Sequence, residues 1–200
     1  MYIKSKYPFR WKLNYVPTYF ENLTEEQEQD QKTVLDFKKG IYDTKTMFWF
    51  RQQIWNINKG SEYGWLVCFL PCNSEAETKH RFGKLADYLS KTTRAKIILD
   101  MFNFLEERTP SHSGNKYIDI DNIGMKIPNV SIYHIILIDD VITTGTLFNK
   151  IAERLIQEEA LSVHGLFLAK SVHPDQPKKE RKNYEDDWLL QEFLNNEDSN

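Results

Sequence analysis

Short apolar runs along the chain predict four strands. The run Trp65–Leu70 is uniformly apolar and stops at Pro71, which is typical of a strand covered on both faces. Ile132–Ile138 is the strongest strand candidate, and Ala95–Leu99 and Val163–Ala169 are two further ones. Between these runs the apolar residues recur at helical spacing, so strands and helices alternate.

Apolar stripes predict four helices. Thr24 and Gln27 form a T-x-x-Q capping box that opens a helix running toward Phe37, and Gly40 ends it. A second helix is expected from Thr44 to Asn58. Its inward-facing residues are Met47, Phe50, Ile54 and Ile57.

The other two helices follow strand candidates. Ser74 and Glu77 form a second capping box, which opens the third helix. Its apolar stripe comprises Phe82, Leu85, Ala86 and Leu89. The fourth helix is expected over Leu147–Glu159. Its inward-facing residues are Leu147, Phe148, Ile151, Ala152, Leu155 and Ile156.

Strands that alternate with helices imply right-handed crossovers and a mostly parallel sheet with helices on both faces, an α/β fold. Residues 61–173 are predicted to form this core, and residues 1–60 an aromatic and helical appendage packed on it. Residues 1–22 of the appendage, which contain Pro8 and Pro17, are expected to be irregular chain laid over a surface.

Two polar segments complete the organisation. From about residue 102 to 130 the pattern lapses into polar residues and glycines. That stretch is too long for a simple connection, so a functional loop or hood is expected there. Residues 174–200 are charged and interrupted by proline, and they predict a peripheral tail with a short helix around Trp188–Leu194.

Composition narrows the class of protein. A chain of 200 residues suffices for one sizeable domain with an appendage. Its net charge of −3 comes from interspersed acids and bases, which argues against a nucleic-acid partner but not against a small anionic ligand. Cys68 and Cys72 are too few for a disulfide framework or a structural zinc site, so reduced thiols are expected. Without a signal-peptide or membrane-spanning stretch, we expect a cytoplasmic protein with no membrane partner.

Candidate chemistry is concentrated in Ile135–Leu147, which reads IILIDDVITTGTL. Asp139 and Asp140 come at the end of a buried strand, at the sheet edge where α/β proteins bind ligands. A threonine- and glycine-rich turn then opens a helix, whose N-terminal N–H groups and dipole suit a phosphate. Carboxylates beside a phosphate cradle match vicinal hydroxyls, so the pattern predicts a ribose 5-phosphate site. The alternative is that the acids merely end a strand and the threonines cap a helix.

This segment resembles the signature with which type I phosphoribosyltransferases bind phosphoribosyl pyrophosphate (PRPP): four apolar residues, two acids, an apolar pair and T-T-G. The resemblance implies the fold of that family, with its hood, and assigns Asp139 and Asp140 to the ribose 2- and 3-hydroxyls. The residues it assigns to the 5-phosphate are Thr143, Thr144, Gly145, Thr146 and Leu147.

A longer stretch, about residues 34–170, is similar to the ComF-type branch of that family. The similarity covers Leu35–Gly40, the strand end Phe69–Pro71, the pair Arg81–Phe82 and the segment Arg108–Pro110. The N-terminal zinc ribbon common in that branch is missing from this sequence. No role of that ribbon is therefore carried over.

The resemblance also implies a pyrophosphate loop after the first core strand. The residues at that position are Pro71, Cys72, Asn73 and Ser74. An ordinary capped strand-to-helix turn is the alternative. Lys79 and Arg81 on the following helix could add positive charge, although exposed helix cations are usually solvated.

The family's mobile hood corresponds to Glu107–Gly114. Closure of such a hood would exclude water while an oxocarbenium-like ribosyl cation forms. In that position Arg108 would hold the departing pyrophosphate, and His112 would touch the nucleophile. The resemblance thus makes Arg108 a catalytic residue, together with Asp139 and Asp140. A solvated loop with incidental Arg and His is the alternative.

The resemblance implies a transferase that moves the phosphoribosyl group of PRPP to a nitrogenous acceptor and releases pyrophosphate. Mg²⁺ is expected as the cofactor, bound mainly through PRPP, with no protein ligand assigned. A non-catalytic PRPP or nucleotide sensor on the same fold is the main alternative. A DNA-uptake accessory like the ComF branch finds no support in the mildly negative charge. A homodimer is one assembly that the sequence allows.

Overall fold

The computed structural model describes residues 5–59, 64–104, 123–126 and 129–174. Strands and helices alternate through most of these ranges, as the apolar pattern predicts. The elements in chain order are β1 (Phe9–Tyr15), α1 (Glu25–Lys38), α2 (Thr44–Asn58), β2 (Trp65–Phe69), α3 (Glu75–Thr92), β3 (Lys96–Ile98), β4 (Phe102–Phe104), β5 (Ile123–Met125), β6 (His134–Ile142), α4 (Thr146–Gln157) and β7 (Ser162–Ser171).

A five-stranded parallel sheet with the order β1-β7-β6-β2-β3 forms the centre of the structure. β6 lies in the middle, paired with β2 on one side and with β7 on the other. Its residues Ile135–Ile138 are fully buried, as expected for a strand covered on both faces. The predicted α/β fold with a mostly parallel sheet is confirmed.

Helices cover both faces of this sheet. On one face, α1, α2 and α3 pack against the even-numbered residues of β6, Ile136 and Ile138. On the other face, α4 packs against Ile135 and Leu137, together with the antiparallel pair β4–β5. The fully or almost fully buried side chains that the helices contribute include Val34, Phe37, Phe50, Ile54, Phe82, Leu85, Leu89, Phe148, Ile151, Ala152 and Leu155.

The expectation of irregular chain over residues 1–22 is wrong between Phe9 and Tyr15. This segment is β1, an edge strand of the main sheet that pairs in parallel with β7. Pro8 precedes the strand, and its carbonyl accepts a hydrogen bond from the amide of Gly165. Proline therefore delimits β1 instead of disrupting it. The division of the chain at residue 60 stays a prediction.

The helix starts follow their capping residues. Thr24 and Gln27 form both hydrogen bonds of the capping box that opens α1. Ser74 caps α3 by accepting the amide of Glu77, but the carboxylate of Glu77 binds Arg81 instead. Ile156 of α4, predicted to face inward, is 39% exposed, because the helix ends one residue later and its last turn lies at the edge of the core.

β4 and β5 lie at the two ends of the segment predicted as a hood. Lys126, which follows β5, pairs with Glu75 at 2.9 Å and with Asp100 at 3.3 Å. The first of these ion pairs ties the end of β5 to the first turn of α3, and the second ties it to the segment between β3 and β4. In the described parts of the chain, no helix combines the length and apolar character needed to cross a bilayer.

Candidate functional site

The topology of the sheet creates a crevice between β2 and β6. β2 leads through α3 to β3 on one side, whereas β6 leads through α4 to β7 on the other. α3 and α4 also lie on opposite faces. The carboxyl ends of β2 and β6 therefore flank a topological switch point, where open α/β sheets bind their ligands. The predicted loop 71–74 and the segment 139–147 both lie at this edge.

The turn between β6 and α4 has the geometry of an anion cradle. Gly145, the N-cap residue of α4, takes a left-handed conformation with φ 77° and has no side chain with which to cap the helix. Thr144 Oγ1 accepts the amide of Thr146 at 3.3 Å. Thr143, Thr144 and Thr146 are exposed, and the hydroxyls of Thr144 and Thr146 lie 2.9 Å apart. The partly buried side chain of Leu147 packs against the core on the α4 face of the sheet. By contrast, α1, α2 and α3 are each capped by a side chain, from Thr24, Asp43 and Ser74.

The two carboxylates that precede this turn have unequal environments. β6 does not end at the acids but continues to Ile142, since its pairing with β7 extends that far. Asp140 is only 4% exposed and is ion-paired with Arg81 at 2.5 Å and with Lys38 at 3.2 Å. Asp139 is partly buried, and its Oδ1 accepts the amide of Asp140 at 2.8 Å. Its other carboxylate oxygen has no hydrogen-bond partner among the described residues.

Burial raises the pKa of Asp139, and the neighbouring charge of Asp140 raises it further. Arg81 and Lys38 act in the opposite direction, as does the hydrogen bond from the amide of Asp140. Burial disfavours a charged carboxylate because its hydration is lost. Asp139 thus keeps its proton to a higher pH than an ordinary aspartate does.

Arg81 joins two elements of the site. Its guanidinium binds Asp140 of β6 through Nη1 and Glu77 of α3 through Nη2, the latter at 2.6 Å. The side chain is 15% exposed, and its buried Nε has no hydrogen-bond partner in the described part of the structure. The sequence pattern suggested a solvated helix cation, whereas Arg81 is largely buried at the strand edge.

Lys38 reaches the site from the last turn of α1. The chain after this helix passes so close to α3 that a Cβ at Gly40 would overlap the carbonyl oxygen of His80. Gly40 also has a φ of 72°, so both its conformation and its surroundings favour glycine. This close approach brings Lys38 within reach of Asp140. Sequence reasoning assigned Lys38 no role, although it lies in the ComF-like segment Leu35–Gly40.

The predicted pyrophosphate loop lies beside the carboxylates, since the amide of Leu70 bonds to the carbonyl of Ile138. One of its donors is already engaged, because the amide of Cys72 donates to Thr78 Oγ1 at 3.0 Å. Ser74 Oγ accepts from the amide of Glu77 at 3.1 Å and can still donate its own hydroxyl hydrogen. Pro71 has no N–H, and Asn73 is exposed. The assignment of pyrophosphate to this loop stays a prediction.

Other candidate groups take no part in the described geometry. Lys79 is exposed, and Glu107–Gly114, with Arg108 and His112, lies outside the described residues. Cys68 and Cys72 are buried free thiols, and burial raises the pKa of Cys72 to about 12. No three His, Cys, Asp or Glu side chains come together as a metal site within the described ranges.

No family model matches the sequence, and no curated protein matches it. Among solved structures, the chain is similar to a hypoxanthine phosphoribosyltransferase from Staphylococcus aureus, at 16% identity and a TM-score of 0.42, over 80% of this chain and 79% of that one. A Trypanosoma cruzi hypoxanthine phosphoribosyl transferase is similar at 12% identity and a TM-score of 0.41, over 74% and 72%. A purine phosphoribosyltransferase from Pyrococcus horikoshii is similar at 11% identity and a TM-score of 0.33, over 70% and 92%. Values this low do not establish a shared family or activity.

Proposed function

We propose that the chain binds PRPP, or its ribose 5-phosphate part, at the carboxyl end of β6, as a protein of the type I phosphoribosyltransferase kind. The observation that carries this proposal is the juxtaposition of a helix N-terminus whose N-cap is a glycine with a carboxylate that has one oxygen without a hydrogen-bond partner among the described residues. Gly145 opens the helix, and Asp139 precedes it by six residues at the same sheet edge. An anion cradle beside a hydroxyl acceptor is complementary to a sugar phosphate.

The reaction that fits this ligand is transfer of the phosphoribosyl group to a nitrogenous acceptor. The lone pair of the acceptor nitrogen would form a bond to the anomeric carbon, while the carbon–oxygen bond to pyrophosphate breaks and its electrons leave with pyrophosphate. The nitrogen then loses its proton to solvent. The contribution of this chain would be positioning, with the 5-phosphate held at residues 143–147 and the ribose hydroxyls at Asp139.

Mg²⁺ would offset the charge of the leaving pyrophosphate and bind mainly to its oxygens. Such a hard cation requires few protein ligands. Arg108 of the predicted hood would hold the departing group.

A sensor that binds PRPP or a nucleotide without turnover is the second candidate, and one observation favours it. The first turn of α3, which directly follows the predicted pyrophosphate loop, carries Glu75 and Glu77. Acidic side chains at a helix N-terminus compete with a bound anion. If the loop binds pyrophosphate weakly, it stabilises the leaving group poorly, and transfer of the phosphoribosyl group is slow.

Titration with ribose 5-phosphate, and with PRPP plus Mg²⁺, tests the site. At pH 9, above the raised pKa of Asp139, we expect Asp139→Asn to weaken binding of both by about tenfold or more, since one lost hydrogen bond to a charged group corresponds to roughly 1.5–3 kcal/mol. Asp87→Asn, on the exposed face of α3, is the matched control and should leave affinity unchanged. Equal affinity of Asp139→Asn and the wild type would reject the site.

Pyrophosphate release separates the two candidates. The wild type is incubated with PRPP, Mg²⁺ and a panel of nitrogenous bases. Release that depends on one base identifies the enzyme and its acceptor. Tight PRPP binding without release, for any base, favours the sensor.

A further inference from the structure

We propose that Lys38 and Arg81 are positioning residues of the ribose site. These two cations, from different helices, hold Asp140 as a fixed and charge-compensated group, and they leave Asp139 as the carboxylate that meets the ribose hydroxyls. The inference rests on the proposed function and deepens it, because it divides the work of two adjacent acids that the sequence treats alike.

The contacts of Asp140 leave it little capacity for a ligand. Its Oδ2 is 2.5 Å from Arg81 Nη1 and 3.2 Å from Lys38 Nζ, and its Oδ1 is 3.3 Å from the same Lys38 nitrogen. A carboxylate offers about four lone-pair positions, and hydrogen bonds from the two cations take one on each oxygen. Since Asp140 is also only 4% exposed, a ribose has little access to the remaining positions.

Asp139 differs from Asp140 both in its exposure and in its contacts with cations. It is more exposed, and no described cation lies in hydrogen-bond contact with it. Its Oδ1 accepts the amide of Asp140, so any movement of Asp140 also displaces Asp139. The cations that fix Asp140 therefore set the position of the free carboxylate indirectly.

The second role of Lys38 and Arg81 is to compensate negative charge at the site. Two like unit charges about 4 Å apart repel each other by about 4 kcal/mol near a protein surface. Two bare carboxylates would thus oppose the binding of an anionic sugar phosphate. Lys38, Arg81, Glu77 and Asp140 form a connected group in which two positive and two negative charges cancel. Asp139 is then the one uncompensated acid of this cluster.

The architecture holds this group in place. Arg81 is bound at both ends of its guanidinium, and Gly40 allows the end of α1 to lie directly on α3 at His80. Two helices and the central strand therefore converge on one carboxylate. An exposed lysine or arginine that only adds charge to the surface would not require two helices to meet a strand in this way.

The test compares Lys38→Met and Arg81→Met with matched controls on the same helices. Lys32→Met and Lys91→Met also remove one positive charge each, but from exposed pairs with Asp36 and Asp87. The readout is the preference for ribose 5-phosphate over 2-deoxyribose 5-phosphate, measured by calorimetric titration. This ratio reports contact with the hydroxyls and is insensitive to general loss of positive charge.

We expect the wild type and both controls to prefer the ribose compound by about tenfold or more, and both site variants to lose most of that preference while they still bind the phosphate. Arg81→Lys should restore part of the preference because it keeps the charge. If Arg81→Met does not fold, Lys38→Met carries the test, since its side chain is 36% exposed and less built into the core.

A pH profile adds a readout that a purely structural role would not move. Asp139 is faced by Asp140, Arg81, Lys38 and Cys72, and Lys38 lowers its pKa. The pH at which ribose 5-phosphate binding changes should therefore shift upward in Lys38→Met but not in Lys32→Met.

The outcomes separate this inference from the function on which it rests. If the wild type binds neither sugar phosphate, the proposed function fails, and the inference fails with it. If the wild type prefers ribose 5-phosphate and both site variants keep that preference, the inference alone is overturned. It is also overturned if Arg81→Met weakens inorganic pyrophosphate binding and leaves the ribose preference intact, because Arg81 would then be a direct ligand of the leaving group.

Discussion

Asp139 and Asp140 are neighbours with the same side chain, yet the energetic effects of removing their charges should differ in sign. Asp140 compensates two cations that are themselves partly buried, Lys38 and Arg81. Asp139 carries a charge that burial and Asp140 both oppose, which is why its pKa is raised. A charged Asp140 therefore stabilises the folded state, whereas a charged Asp139 destabilises it.

Substitution by asparagine tests this contrast. Asp140→Asn should lower the free energy of unfolding by about 2 kcal/mol, because Lys38 loses its ion pair and Arg81 keeps only Glu77, with a discount for the exposure of Lys38. Asp139→Asn should raise stability at neutral pH, even though it impairs ligand binding. Urea denaturation at pH 7.5 measures both, with Asp87→Asn as the surface control. Equal losses in the two variants would contradict the unequal environments.

The same reasoning sets the pH dependence of the Asp139→Asn effect. The folded state holds the Asp139 proton more tightly than the unfolded chain does, so the wild type loses stability as the pH rises from the ordinary value of 3.8 through the raised pKa. Asparagine has no such proton. The stability difference between variant and wild type should therefore grow across this window and level off above it, as denaturation curves between pH 4 and 9 would show.

Gly40 lies at a position where both the backbone conformation and the close contact with α3 favour glycine. Gly40→Ala should cost about 2 kcal/mol or more, since it combines a left-handed backbone with overlap at the carbonyl of His80. Gly64→Ala is the control, because Gly64 has a φ of 76° but its added Cβ would be in ordinary contact with Ile132. A larger loss at Gly40 in thermal unfolding, together with weaker ribose 5-phosphate binding, is the expected result.

The sequence predicted the candidate site only in part. The segment 139–147 was identifiable because its acids, threonines and glycine are contiguous and follow an apolar strand. Lys38 and Arg81 were not identifiable as partners of Asp140, since they lie 102 and 59 positions away and helical periodicity says nothing about such pairings. Both lie in the ComF-like similarity, and Arg81 was also considered as a source of positive charge beside the predicted pyrophosphate loop.

At the scale of elements, local chemistry predicted helix starts better than strand lengths. α1, α2 and α3 begin directly after Thr24, Asp43 and Ser74, whose side chains accept amides of the first turn. Strand ends depend instead on the neighbouring strand. β6 reaches Ile142 because β7 pairs with it through Lys170, and β1 forms because β7 offers a free edge.

Gly165 determines how α4 packs on β7. A Cβ at this position would lie 2.6 Å from Phe167, 2.8 Å from Phe148 and 2.9 Å from Phe9, so the aromatic cluster fills the space above the glycine. These rings meet edge to face. Gly165→Ala should therefore destabilise the protein by about 1–3 kcal/mol through overpacking.

Gly83→Ala provides the control for Gly165→Ala. Gly83 lies inside α3, and its added Cβ would meet only Lys79 Cγ, at 3.9 Å. That substitution should stabilise the protein by about 0.5–1 kcal/mol, as alanine favours a helix interior. Chemical denaturation of both variants measures the contrast, and a neutral Gly165→Ala would show that the aromatic cluster can adjust.

At the scale of the whole molecule, the first sixty residues contribute to the same core as the rest of the chain. Val34, Phe37, Phe50 and Ile54 are at most 1% exposed. They cover the face of the sheet formed by β2, β6 and β7, including Val67. β1 adds an edge strand to β7. The apolar pattern predicted α1 and α2 well, but it did not reveal how much of the core depends on them.

Fragments that divide the chain at residue 60 test whether the two parts are separable. Burial of four large apolar side chains contributes about 6–12 kcal/mol, which is comparable to the whole stability of a typical domain. Residues 61–200 alone should therefore show no cooperative thermal transition by circular dichroism and should bind a hydrophobic dye. Adding residues 1–60 as a separate fragment should restore cooperative unfolding, because the missing face is supplied in trans. A sharp transition in the isolated fragment 61–200 would instead establish it as an independent domain, and α1 and α2, with Lys38, would then be an addition to a site that is stable without them.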